Sequence, residues 1–231
     1  MRVHKNSIVR RYKLIGIFCL SVIALYGLCS ISVRVFRIQE IEIRAEGIDL
    51  AVDTSKFNDN LLLLSTQALR AHLLEEYPLF ADISIRKKFP HTLMITATRR
   101  NPFAVLFTAS QRMTVDSSGI VLGNEEAMSS LPKLFFDIGI VYPGQKITDR
   151  DVLASLKLIS ASEGVLDHAD FSVRDRLSIQ AKLPNREILF PRDGDMSAKA
   201  ATLQTILSGF RIKGTLPNII DLRYDKPIVD E

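Results

Sequence analysis

Cysteine is nearly absent from this 231-residue chain: Cys19 and Cys29 are the only two, and both lie before residue 30. Everything that follows therefore lacks a thiol. That excludes a disulfide, a thiolate metal site and a cysteine nucleophile there, so the later residues must be held by their core alone. Histidine is scarce as well. His4, His72, His91 and His168 are far apart in sequence and show no metal-ligand spacing, so each reads as a solvated or half-buried imidazole. No G-x-S-x-G elbow occurs. Gly209 and Gly214-Thr215 have the glycine spacing of a phosphate loop, but the lysine that must reach the phosphates is missing. Asp193-Gly194-Asp195 lacks the alternating acids and distal glutamate of a calcium loop and reads as a polar turn. There is no internal repeat and no low-complexity tract. The catalytic arrangement left open is a Ser–His–Asp site assembled from distant residues.

What is present begins with an uncharged run of 20 residues, Leu14 to Val33, holding eleven Leu, Ile, Phe or Val. As a helix it would span roughly 30 Å, which predicts a transmembrane helix over 14–33. Arg2, Lys5, Arg10, Arg11 and Lys13 precede it with no acid among them. The positive-inside rule then keeps this basic tail, residues 1–13, in the cytoplasm and exports the C-terminus. The rival is a cleaved signal peptide ending near Gly27-Leu28-Cys29, but the apolar run continues past that site. Removing the five tail charges from the 30 lysines and arginines leaves 25 against 26 acidic residues. A nucleic-acid binder concentrates basic charge on its folded part, so no nucleic-acid partner is expected. An apolar fraction of 47% supplies enough side chains for a real core.

Hydropathy patterning predicts a first domain over 36–100. Ile38, Ile41 and Ile43 mark a strand, and Asp49–Lys56 a short helix or turn. Ser65-Thr66 cap a helix carrying Ala68, Leu69, Leu73 and Leu74, which Tyr77-Pro78 stops. Ile83 and Ile85 lie in a second strand, and Phe89-Pro90-His91-Thr92 turns the chain. Leu93, Ile95 and Ala97 then share one face of a third strand, with Met94, Thr96 and Thr98 on the other. A longer unit, 101–231, follows. Strands are expected near Ala104–Phe107, Arg112–Asp116, Ile120–Leu122 and Leu134–Phe136, with a Ser117-Ser118-Gly119 hairpin. Thr148 is expected to cap a helix with Val152, Leu153, Leu156 and Ile159, closed by Glu163-Gly164. Phe171 and Val173 continue the sheet. Leu177, Ile179, Ala181 and Leu183 alternate into a turn at Pro184-Asn185, and Ile188 to Phe190 return. Ser197 is expected to open a second helix with Leu203, Ile206, Leu207 and Phe210. Ile219–Tyr224 is the last clear strand and a candidate sheet edge, which Ile228-Val229 either extends or pairs with. Asn60 and Asp116 read as turn residues that bond local amides. Arg86-Lys87-Lys88 and Arg99-Arg100 are the basic clusters outside the tail. They read as a solvated face that blocks unwanted strand pairing, or as a contact for anionic headgroups or an acidic partner.

Three patches resemble the FtsQ/DivIB family of bacterial division proteins. Phe89-Pro90-His91-Thr92-Leu93-Met94-Ile95 with Arg100-Asn101-Pro102-Phe103-Ala104 is similar to that family's P-x-T-L-x-I followed by E-R-x-P-x-A. Val115-Asp116-Ser117-Ser118-Gly119 resembles its V-D-x-x-G hairpin, and Ile220-Asp221-Leu222-Arg223-Tyr224 its I-D-L-R-[FY] strand. The resemblance runs from about Leu14 to Val229. There are departures. Arg99 stands where the family has Glu, Pro184-Asn185-Arg186 replaces an Asn-Gly turn, the basic tail is short, and the chain ends soon after the last strand. The resemblance implies an α+β protein with an N-terminal transmembrane helix, a POTRA domain of strand–helix–strand–strand type, and a β-rich domain with two helices. It implies a non-catalytic divisome scaffold with no cofactor, a single-pass protein of the bacterial plasma membrane. Its partners would be FtsB/DivIC-like and FtsL-like bitopic proteins, other divisome proteins, and the bilayer through the anchor. It would help control septal peptidoglycan synthesis from outside the cytoplasm. The implied partner-binding residues are Leu222, Arg223, Tyr224 and Lys226. Two other classes stay open: a POTRA-bearing envelope assembly or secretion component, and an anchored envelope hydrolase.

Overall fold

The computed structural model describes residues 16, 18–24, 26–27, 34–45, 52, 57–124, 130–162, 164–214 and 216–230. The basic tail and most of the expected turn at Asp49–Lys56 lie outside these residues, as does Glu163. Residues 18–24 are helical and carry exposed Phe18, Leu20 and Ile23. Among the described residues, however, no helix is long and apolar enough to cross a membrane. This overturns the fold expected from sequence, in which a transmembrane helix filled 14–33. The fold described is a mixed α/β arrangement in two compact units, one comprising residues up to 76 with 81–98 and the other 77–80 with 99–231.

The first unit contains β1 (Glu40–Ala45), α1 (Thr66–Glu76), β2 (Phe80–Lys88) and β3 (Thr92–Arg99). Its sheet has the order β1-β3-β2, with β1 parallel to β3 and Ile41 opposite Leu93. Parallel neighbours need a crossover connection, which here contains α1 and β2. The Ser65 hydroxyl accepts the Ala68 amide at 3.2 Å and caps α1. Leu69 and Leu73 are buried, whereas Ala68 is exposed. In β3 Leu93, Ile95 and Ala97 are buried and Thr96 and Thr98 exposed, while on the same outward face Thr92 is buried and Met94 half-buried. Asn60 behaves as a turn residue, its side-chain oxygen accepting the Leu62 amide at 2.9 Å.

The second unit is a nine-stranded sheet in the order β12-β11-β10-β9-β8-β7-β4-β5-β6. Its strands are β4 (Ala104–Phe107), β5 (Arg112–Val115), β6 (Val121–Gly123), β7 (Lys133–Phe135), β8 (Asp170–Arg174), β9 (Ser178–Leu183), β10 (Arg186–Pro191), β11 (Ile219–Asp221) and β12 (Ile228–Asp230). The helices are α2 (Arg150–Ala161) and α3 (Met196–Lys213). Val152, Leu156 and Ile159 of α2 and Ala200, Leu203 and Leu207 of α3 share one apolar core with Leu106, Leu134, Phe171, Ile179, Ile188 and Ile220 of the sheet. On the opposite face the registers place Lys133 against Asp170, Asp170 against Lys182, and Lys182 against Glu187, a row of alternating sign across four strands.

Both helix starts differ from the sequence expectation. Asp149, not Thr148, caps α2, accepting the amides of Asp151 and Val152; Asp195, not Ser197, caps α3, accepting those of Ser197 and Ala198. A carboxylate accepts two amides at once and also meets the positive end of the helix dipole, which is why it takes the position. Leu177 is exposed rather than inward, because the β8–β9 turn runs through Asp175 and Arg176 at φ 53° and 56°. Asp116 lies in the turn foreseen for it. Its Oδ1 accepts the amides of Ser118 and Ile120, and its Oδ2 accepts Arg100 Nη1 at 2.7 Å. Gly119 closes that hairpin at φ 82°, where a side chain would be strained.

Candidate partner-binding edge

The last quarter of the second unit is built by α3 returning the chain to the sheet. Gly214 ends α3 in the left-handed conformation, and β11 then pairs parallel with β10, Ile188 opposite Ile220. Ile220 is fully buried. The Leu222 amide donates to the Leu189 carbonyl at 2.8 Å, continuing the pairing one step beyond the strand. Leu222 is therefore fully buried, part of the core shared with α2 and α3. It was expected among the partner-binding residues, and its side chain is not at the surface.

The edge itself is also displaced from the expectation. β11 stops at Asp221 and is not a sheet edge. β12 pairs antiparallel along it, Ile220 opposite Val229 and Asp221 opposite Ile228, so β12 is the outermost strand. An edge strand leaves one row of backbone amides and carbonyls without a neighbour in the sheet. Here that strand carries Ile228 at 58% exposure, and Ile219 on the neighbouring strand is also exposed.

Between β11 and β12 the chain loops through Arg223, Tyr224, Asp225, Lys226 and Pro227. This loop is organised around Asp221. Its Oδ1 accepts both the Arg223 amide and Arg223 Nε at 3.0 Å, and its Oδ2 accepts Arg223 Nη2 at 2.6 Å. The Arg223 hydrogen bond holds the Asp221 carboxyl below the ordinary aspartate range, and the same bond raises the guanidinium of Arg223. Both groups are therefore held in their charged forms. The guanidinium carbon lies 5.5 Å from the centre of the Tyr224 ring, a cation–π contact that fixes the ring's direction. From α3, Lys199 Nζ donates to the Tyr224 carbonyl at 3.1 Å. Tyr224, 55% exposed, thus presents its ring at the surface, and Lys226 is exposed two residues on. Of the four expected residues, the fold brings Arg223, Tyr224 and Lys226 to one surface loop. It adds Ile228 and Lys199, which sequence reasoning missed. Ile228 stands in a three-residue strand, too short to show a period, and Lys199 acts through a contact 25 positions away.

The other singled-out residues have structural places. Asp195 caps α3, and among the described residues no group of three His, Cys, Asp or Glu is arranged to hold a metal. His168 Nδ1 lies 2.8 Å from the Ser130 carbonyl, and His72 lies 3.6 Å from Glu76 one turn on. An open pocket of about 430 Å³ lies between the start of α2 and the end of β10, lined by Arg150, Asp151, Arg176 and Arg192. Within it Arg192 donates to both oxygens of Asp151 and to the Arg176 carbonyl, and Arg150 lies 3.9 Å from Asp193. No family model and no curated protein matches this chain.

Proposed function

We propose that this chain is a non-catalytic scaffold of the bacterial division machinery of FtsQ/DivIB type. In this reading its C-terminal edge receives a segment of an FtsB/DivIC-like protein, an FtsL-like protein joins that complex, and the assembly helps control septal peptidoglycan synthesis. The observation that carries the reading is the exposed edge strand β12 beside a loop that holds Tyr224 outward. An open edge accepts an incoming strand through main-chain hydrogen bonds, and flanking side chains select it. Tyr, Arg and their neighbours are the residue types in which binding energy concentrates.

Tyr224→Ala is expected to weaken binding of the FtsB/DivIC-like partner about tenfold, equivalent to about 1.4 kcal/mol. Titration of the purified proteins measures this, with circular dichroism to verify folding. Wild-type affinity in folded Tyr224→Ala and Ile228→Lys variants would remove the edge from the interface. The place of action that goes with this reading is the extracytoplasmic side of the plasma membrane at the septum. A reporter that works only outside the cytoplasm should be active when fused after Glu231, and inactivity there with activity of a cytoplasmic reporter would reject it.

A further inference from the structure

Three segments of the first unit converge on one exposed patch that the proposed function does not use. The Leu61 amide donates to the Phe36 carbonyl at 2.7 Å, and Lys87 Nζ donates to the Leu62 carbonyl at 3.3 Å. The Phe36 and Phe89 rings meet edge to face, 5.8 Å between centres. These contacts bring 34–37, 60–63 and 86–89 together. Four large apolar side chains there face water: Val35, Leu62, Leu63 and Phe89, the last two at 68% and 54% exposure. Isolated exposed apolar residues are ordinary, but four gathered at one place mark a contact surface.

The surroundings of the patch are cationic. Arg34 and Arg37 are exposed and Lys87, which reaches Leu62, is half-buried. Lys88 is engaged by Glu42 at 2.8 Å. The acids flanking these segments are Glu40, within 3.3 Å of the Thr92 hydroxyl, Glu42 and Asp59, which leaves an excess of positive charge. Apolar side chains ringed by arginine and lysine match the boundary of an anionic bilayer: the apolar groups enter between headgroups while the basic ones meet phosphates. The chain also enters this patch at Arg34, directly from the uncharged run 14–33, whose described residues 18–24 are helical with exposed apolar side chains. We infer that this patch of the first unit docks on an anionic lipid surface, with Leu63 and Phe89 inserted at headgroup level and Arg34, Arg37 and Lys87 on lipid phosphates.

The absence of tryptophan makes the test direct, since one introduced indole is the sole such fluorophore. Full-length Phe89→Trp and, separately, Leu63→Trp proteins are reconstituted into vesicles with brominated acyl chains, either phosphatidylcholine alone or phosphatidylcholine mixed with phosphatidylglycerol. The expected result is a blue-shifted emission in the mixed vesicles, with quenching roughly twice that in neutral ones or more, lost at high salt as screening requires. Arg37→Glu/Lys87→Glu, added to either protein, should bring the quenching back to the neutral level. Using both indole positions guards against a local disturbance of the Phe36–Phe89 contact. Equal quenching in the two lipids, or none in either, would overturn the inference, and the patch would then fall to an acidic protein partner.

Discussion

Asp116 lies beneath the hairpin that it organises, 5% exposed, with Arg100 as its ion-pair partner. Burial works to raise its pKa. Hydrogen bonds from the Ile120 amide, Ser118 and Arg100 more than offset that, and the net value is lowered below the ordinary 3.8. A carboxylate whose folded pKa is depressed stabilises the fold above its unfolded pKa and loses that contribution as pH falls through the folded one. The second unit should therefore melt at progressively lower temperature below about pH 4, an effect that Asp116→Asn removes in part. Asp116→Ala leaves Arg100 without its carboxylate and should cost about 3 kcal/mol in urea unfolding. Adding Arg100→Ala to it should cost clearly less than the two single losses together. Full additivity would mean that Asp116 acts only through the turn amides.

At the level of elements, the two helix caps test how finely a sequence can be read. Asp149→Ala should lower stability by about 1 kcal/mol, while Thr148→Ala should change it little. Equal losses in a denaturation series would return the cap to Thr148. The alternating strands were legible: β3 declares its buried face through Leu93, Ile95 and Ala97, and β9 declares its own through Ile179 and Ala181. Helix interiors were legible for the same reason. The start of α1 at Ser65 was legible too, but those of α2 and α3 were not, because Thr148-Asp149 and Asp195-Met196-Ser197 each offer neighbouring capping candidates, and only backbone geometry decides between them. The candidate site was half legible. The I-D-L-R-Y stretch pointed to the loop 223–227 that carries Arg223, Tyr224 and Lys226 at the surface. That Leu222 is buried and that β12 forms the edge depend on which strands flank β11, a long-range fact that three residues cannot encode locally.

For the whole molecule, the row Lys133–Asp170–Lys182–Glu187 on the face away from the helices has a consequence for how the sheet finds its alignment. Slipping a strand by one residue turns its apolar side chains outward, and burial forbids it. A slip of two residues keeps the faces correct and is policed only by what sits opposite what. Moving β10 by two against β9 would set Lys182 against Leu189 instead of Glu187, forfeiting an opposed pair worth about 0.2–1 kcal/mol. Each junction along the row adds a similar penalty, so the charges act as a vernier on strands already sorted by hydrophobicity. Reversing two of them, Asp170→Lys with Glu187→Lys, makes the row uniformly positive. Refolding yield at low ionic strength should then fall and recover as salt is added. Salt-independent refolding would assign the alignment to the core alone.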